Sequence, residues 1–336
     1  MRTQFTQSRL YYSKALAVIM ALNIGFSHSV AAQTRDRSEL ESLQQDAGYY
    51  LNVLGDKIDL FFGDDELKST AITDKTSSKH NRLYVYFPTR FYEEGRRESD
   101  VNFRLKFDLP RTQRRWNLML TSFEESLLEP DGSSSLEDEA QSEPSLTPKG
   151  QETTLSAGYW LHKTEKELAQ VQFGIRFYNG FELNPFVRWR QQKAYALSPK
   201  INTSDRYNLI LDRQYGLWGE VQKRFDIPLE ERALFRAQSG ALYRLNEHES
   251  QLSQVFAWYL PVTDSDLMSY YVQANLTQKN WETAEERIAI GHNWRHQFNH
   301  KWLFFEMEPR YEWQDFRFQQ GQWSILFKLE AQIYRR

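Results

Sequence analysis

A two-residue rhythm runs from about Arg82 to Tyr334, and it constrains the fold more than any other feature of the chain. Within 302–313 the odd positions are Leu303, Phe305, Met307, Pro309, Tyr311 and Trp313, while the even ones include Glu306, Glu308, Arg310 and Glu312. Within 323–333 the odd set is Trp323, Ile325, Phe327, Leu329, Ala331 and Ile333, set against Ser324, Lys328, Glu330 and Gln332. Side chains on an extended strand point alternately to opposite faces, so each segment writes one greasy wall and one charged wall. Carried through so many segments behind an export signal, the pattern implies an all-β chain forming a transmembrane antiparallel up-and-down β-barrel with its apolar wall in lipid.

The N-terminus reads as a cleavable signal peptide over 1–32. Arg2, Arg9 and Lys14 make a positive start, residues 15–26 an apolar core, and Val30-Ala31-Ala32 a small-residue cleavage site. That core is shorter than the ~20 residues a spanning helix needs. Removing Arg2, Arg9 and Lys14 takes the formal charge from −3 to −6. The chain has 0 cysteines, which excludes disulfides and thiolate metal sites. A mean hydropathy of −0.70 would ordinarily mark a soluble protein. Barrels hide their apolar residues in alternate positions, however, so the average misleads. The 15% aromatic content fits rings gathered at two membrane interfaces.

Residues 33–78 differ from the remainder. Leu40, Leu43, Tyr50, Leu51, Leu54, Ile58 and Phe61 recur at helical spacing and predict an amphipathic helix over 36–62, with Gly48 and Gly55 as candidate breaks. That helix is open to three placements: on the membrane interface, capping the barrel from the periplasm, or plugging the lumen. A polar linker over 69–81 leads into the barrel, 79–336. Fourteen strands are expected, at 82–92, 100–109, 116–124, 153–162, 169–178, 186–195, 206–214, 217–227, 233–245, 252–260, 267–277, 285–297, 302–313 and 323–334. Twelve is the alternative, and the weakest boundary is 215–219, where two strands would merge into one. Short connections and long polar ones alternate, which puts both chain ends on the periplasmic side. The acidic, Ser-rich stretch 127–150 reads as a surface loop that is solvated, binds divalent cations bridging lipopolysaccharide, or gates the mouth.

The segment Asp56-Lys57-Ile58-Asp59-Leu60-Phe61-Phe62-Gly63, followed by a barrel closing with 302–313 and 323–334, resembles the uncharacterised outer-membrane barrels of Gram-negative bacteria. The resemblance implies the fold and an outer-membrane location, with outer-membrane lipid, lipopolysaccharide and the barrel assembly machinery as partners. It supplies no catalytic residues. The chain departs from the usual barrel ending by placing Arg335-Arg336 after Tyr334.

The inward wall is the candidate site. Its lumen-lining charges include Arg104, Lys106, Arg176, Arg188, Arg190, Arg224, Arg236, Arg244 and Arg310, with Glu306, Glu308, Glu312 and Glu330 among the opposing carboxylates. Surplus positive charge favours an anion-preferring pore for small solutes. Alternatively, arginine–carboxylate pairs knit the interior shut and the barrel has a structural or assembly role. A lipid or surface hydrolase is the enzymatic rival, with Ser156 and His162 read on one inward face. A soluble β-sandwich is the rival fold. His292 and His296 lie some 13 Å apart along one outward strand face, too far for a two-residue metal site. His248-Glu249-Ser250 reads as a surface loop and does not continue into a zinc motif. Trp302, Trp313, Trp323 and Tyr311 are expected in the outer girdle. No cofactor, metal, catalytic residue or nucleic-acid partner is expected. No outward strand face is polar enough to nominate a subunit contact, so a monomer is the expectation.

Overall fold

The computed structural model describes residues 35–62, 81–109, 115–122, 153–164, 166–178, 182–229, 233–280, 284–319 and 321–334. The expected signal peptide, acidic loop, terminal arginine pair and nearly all of the polar linker fall outside these residues. A helix, α1 (Arg35–Phe62), precedes fourteen strands: β1 (Arg82–Tyr92), β2 (Arg97–Ser99 and Asn102–Leu109), β3 (Trp116–Thr121), β4 (Thr153–Lys163), β5 (Glu167–Tyr178), β6 (Glu182–Ser198) and β7 (Ile201–Asp212). There follow β8 (Gly216–Pro228), β9 (Leu234–Arg244), β10 (Glu249–Pro261), β11 (Asp266–Lys279), β12 (Glu285–Gln297), β13 (Leu303–Trp313) and β14 (Gly321–Tyr334). The two pieces of β2 are one strand with a local interruption. Tyr86 pairs with Asn102 and Thr89 with Ser99 in one register, and the Asp100 amide still donates to the Pro88 carbonyl at 3.1 Å.

Every strand pairs antiparallel with its chain neighbour, and β14 returns to β1 from Arg82↔Tyr334 to Tyr92↔Ser324. The sheet therefore closes and keeps no free edge. Fourteen strands, rather than twelve, make the wall. The doubtful 215–219 boundary is a turn at 213–215 followed by Gly216 at φ 68°, a left-handed conformation suited to glycine, which starts β8. Following paired residues once around the wall returns to β1 displaced by about 20 residues, which tilts the strands roughly 45° and gives a backbone radius of about 14 Å.

The outward wall is that of a membrane-spanning barrel. Leu155, Phe173, Val187, Leu209, Leu211, Val221, Leu252, Val272, Ile290 and Ile325 project from it exposed. So continuous an apolar exterior would not persist in water. Aromatic rings gather near both rims. Tyr311 packs on Trp313 and Trp323 at 4.7 and 5.0 Å at one end, while at the other Trp116 meets Tyr159 at 5.1 Å and Phe235 meets Trp258 at 5.0 Å. Trp302 departs from the expected girdle. It is buried in the turn before β13, beside His300, because chain parity there turns it off the outer face.

Helix α1 runs unbroken through Gly48 and Gly55 and lies on the outside of the wall. Leu51 and Ile58 pack against Leu83, Leu105, Phe107, Leu109 and Leu118, all of them outward-facing. A Cβ on Gly55 would stand 2.1 Å from the Asn81 amide nitrogen, so glycine is what lets the helix approach. Asn81 Nδ2 donates to Asn52 Oδ1 at 3.3 Å, and Gln44 Nε2 donates to the Tyr334 carbonyl at 2.9 Å. The helix thus spans the seam where β14 meets β1. Of its three open placements, plugging the lumen is excluded.

Candidate functional site

Chain parity assigns the inward wall, and two β-bulges modify it. The register shifts between Trp160 and His162 and again between Ala196 and Ser198. A one-residue slip moves every later side chain to the other face. His162 consequently pairs with Ala169 on the outward set, away from Ser156. Ser156 is buried inward, where its hydroxyl accepts from Gln172 Nε2 at 2.6 Å. The expectation that these two residues share a face is overturned, and they cannot act together as base and nucleophile. Glu249 and Ser250, read as loop, are the first residues of β10. Among the described residues no group of three potential ligands is arranged for a metal ion.

The expected lumen charges all lie on inward positions, and the registers sort them into two opposed arcs. Strands β5–β9 carry Arg176, Arg188, Arg190, Arg206, Arg224, Arg236 and Arg244. Against these seven arginines the same strands bring inward Asp212, Glu220 and Asp226, with Glu182 exposed at the rim. Nearly opposite, β12–β14 bring inward Glu285, Glu306, Glu308, Glu312 and Glu330 against Arg287, Arg295, Arg310 and Lys328. The lumen therefore has a cationic side facing a slightly acidic one. Arg104 and Lys106, on β2, sit between the two arcs, and Lys106 Nζ meets Asp108 at 3.6 Å.

Most of these charges are held by partners. Asp212, at the end of β7, is fully buried. Its Oδ2 accepts from Arg176 Nη1 at 3.1 Å and from Trp218 Nε1 at 2.8 Å, and its Oδ1 accepts from the Tyr215 amide at 2.6 Å. The Arg176 guanidinium lies 4.9 Å from the Phe186 ring and 5.7 Å from that of Trp218. Arg244 covers Tyr215 at 5.0 Å and pairs with Glu249 at 3.1 Å. These aromatic faces favour a nearby cation and screen the ion pairs from water. Phe186, Ile210, Trp218 and Leu242 form an apolar patch inside the lumen itself, which alternation alone did not foretell. Phe186 fits there because its register partner is Gly174, where any Cβ would strike the ring at 2.6 Å.

Lower on the cationic arc, Arg236 grips Asp226 with Nε at 2.8 Å and Nη2 at 3.2 Å, the bidentate geometry that suits guanidinium to carboxylate. Arg224 reaches the same carboxylate at 3.2 Å. Asn208 donates to Glu220 at 2.9 Å while accepting from Arg190 Nε at 3.1 Å. On the acidic arc, Glu306 joins Lys328 at 2.7 Å and Arg295, which also holds Glu330 at 3.0 Å. Tyr271 donates to Glu308 at 2.6 Å, and Arg310 to Glu312 at 2.5 Å. Arg104, Arg176, Arg206, Arg224, Arg236 and Lys328 are each at most 3% exposed. Inward charges shielded to that degree require the lumen to be constricted by its own side chains.

No family model matches the chain, and no curated protein does. Among solved structures, it is similar to a loop-deletion form of OmpT, an outer membrane protein of Vibrio cholerae, at 9% identity and TM-score 0.45, covering 76% of this chain and 99% of that one. The outer membrane channel DcaP of Acinetobacter baumannii matches at 7% identity and TM-score 0.45, over 77% and 99%. An outer membrane channel of Pseudomonas putida F1 matches at 8% identity and TM-score 0.39, over 78% and 98%. The closed register of fourteen strands, rather than these distant likenesses, defines the fold as an antiparallel β-barrel.

Proposed function

We propose that the chain is an integral barrel of the outer membrane whose lumen is a narrow passage for small solutes, with a preference for anions. The membrane placement is supported by the exposed apolar belt between two aromatic bands. The cell's outer membrane follows from the export signal read in the sequence together with a closed barrel. The observation that carries the passage reading is the arginine surplus of the contiguous β5–β9 wall, since rings and arcs of fixed charge set ion preference. Planar-bilayer recording in a potassium chloride gradient tests it. Small, anion-selective conductance is expected, and a purified, folded barrel that never conducts at any voltage or salt refutes it.

The near-complete burial of the paired charges favours a second reading, a closed barrel with a structural or assembly role. Silence in the same recording, with full folding, is the result that reading expects. The enzymatic reading loses its nominated pair, since Ser156 and His162 lie on opposite faces of β4. Ser156→Ala and His162→Ala proteins in micelles should match wild type on phospholipid and peptide substrates, and lost hydrolysis in either would reopen an enzymatic role.

A further inference from the structure

The outer wall holds one line of residues that its lipid setting does not explain. In direct register across six strands, Glu167 pairs with Lys193, Lys193 with Asp205, Asp205 with Lys223, Lys223 with Ser239 and Ser239 with Gln254. All six occupy outward positions, so the registers assemble a continuous polar row around β5–β10. The row is internally bonded. Lys223 Nζ donates to Asp205 Oδ1 and to the Tyr195 hydroxyl, both at 3.0 Å, and Tyr195 donates to Asp205 Oδ2 at 2.9 Å. Gln191 Nε2 donates to Glu167 Oε1 at 3.0 Å, and Ser239 donates to Gln254 Oε1 at 2.5 Å.

Its height makes the row unusual. Phe225, Phe235, Phe256 and Trp258 lie between its β8–β10 portion and the rim that carries α1, while Leu209, Val221 and Leu252 continue the wall on the other side. That β8–β10 portion therefore sits on the hydrocarbon side of an aromatic girdle, whereas on β6 and β7 Trp189 and Tyr207 stand between the row and the membrane centre. Charged side chains on a lipid-facing barrel wall are destabilising, increasingly so with depth. Lipid tails offer no hydrogen bonds, yet the Lys223 side chain is 45% exposed.

We propose that this face is where a second copy of the chain docks, giving a homo-oligomer in the membrane. Two features of this face favour that occupant. The charges alternate in sign, Glu167, Lys193, Asp205, Lys223, so the patch is near neutral and complementary to itself, whereas an anionic lipid headgroup calls for a net positive cluster. Beside the row, the outward face of β9 is Ala237, Ser239 and Ala241, small side chains that let two walls approach closely. Both copies insert in the same direction, so a twofold axis must lie along the membrane normal. An axis passing between β7 and β8 sets Asp205 of each copy opposite Lys223 of the other. The inference rests on the membrane placement and is independent of conduction.

The chain has 0 cysteines, so Ser239→Cys introduces a unique reporter in the row, one strand from Lys223. In isolated outer membranes treated with a long-arm bismaleimide, whose spacer covers the offset of β9 from the twofold axis, this variant should cross-link to twice the monomer mass, and Ile325→Cys on a distant wall should not. Asp205→Lys added to the reporter should abolish the cross-link, and adding Lys223→Asp as well should restore it. Heat-modifiable gel mobility identifies the folded barrels in each case. A folded Ser239→Cys barrel that stays monomeric overturns the proposal. Native mass spectrometry of wild type showing a monomer that retains phosphate-bearing lipid, lost on Lys223→Met, overturns it in favour of a headgroup site. Extraction of wild type by carbonate would instead remove the membrane placement beneath both readings.

Discussion

Replacing Asp212 by asparagine measures how dry the lumen is. The side chains of Asp212 and Arg176 are 0% and 1% exposed, and the carboxylate takes three donors: Arg176 Nη1, Trp218 Nε1 and the Tyr215 amide. Asparagine keeps the shape, offers one acceptor oxygen in place of two, and takes the negative charge of Asp212 away from the buried Arg176. Breaking a buried pair from one side costs about 3–5 kcal/mol, because the remaining charge stays buried. The same pair in water would contribute only about 0–1 kcal/mol. Equilibrium urea unfolding in micelles, followed by tryptophan fluorescence and heat-modifiable mobility, distinguishes the two ranges. We expect a loss of about 3–5 kcal/mol for Asp212→Asn, and recovery of most of it in Arg176→Met/Asp212→Asn, which removes both charges while the asparagine oxygen still accepts a hydrogen bond. A single-variant loss under about 1 kcal/mol would refute the reasoning, since it would mean that water reaches the pair and the constriction is absent at that height.

Converting Arg188, Arg190 and Arg206 together to glutamine should move the reversal potential of a conducting barrel towards zero, and an unchanged anion preference would separate the arginine arc from selectivity. Gly291→Val should cost about 1–3 kcal/mol by overpacking. A Cβ there would meet the Tyr271 ring at 2.3 Å, so the Tyr271–Glu308 bond should break as well, readable as a shift in the tyrosine ultraviolet spectrum. Gly55→Leu should lift α1 from the wall, since Asn81 and Phe107 occupy the space. Limited proteolysis near the helix should then accelerate while the barrel keeps its heat-modifiable mobility.

Much of this architecture was legible because a strand repeats every two residues and a closed barrel repeats the strand. The expected 285–297 matches β12, and 82–92 matches β1. The helix over 36–62 was legible from its own spacing, because Leu51 and Ile58 recur seven residues apart on one face. Its destination was not, since the apolar patch it covers gathers Leu83, Phe107 and Leu118 from three strands. His162 was misplaced because a bulge at Leu161 inverts the pattern without leaving a mark in it. The polar row escaped notice for a similar reason. Glu167 and Gln254 are far apart in sequence, and each lone polar residue passes for an irregularity until five registers align the six of them.

The sequence by itself determined which side chains face inward and which outward along nearly every strand, because alternation is a property of the local backbone and needs no partner. Tertiary structure alone decided which charges meet. Strand tilt and register fix whether an arginine reaches a carboxylate two strands away, as Arg176 reaches Asp212, and whether outward lysines and acids fall into one line. Those relations belong to the closed cylinder, since they depend on how each strand is shifted against the next around the whole wall.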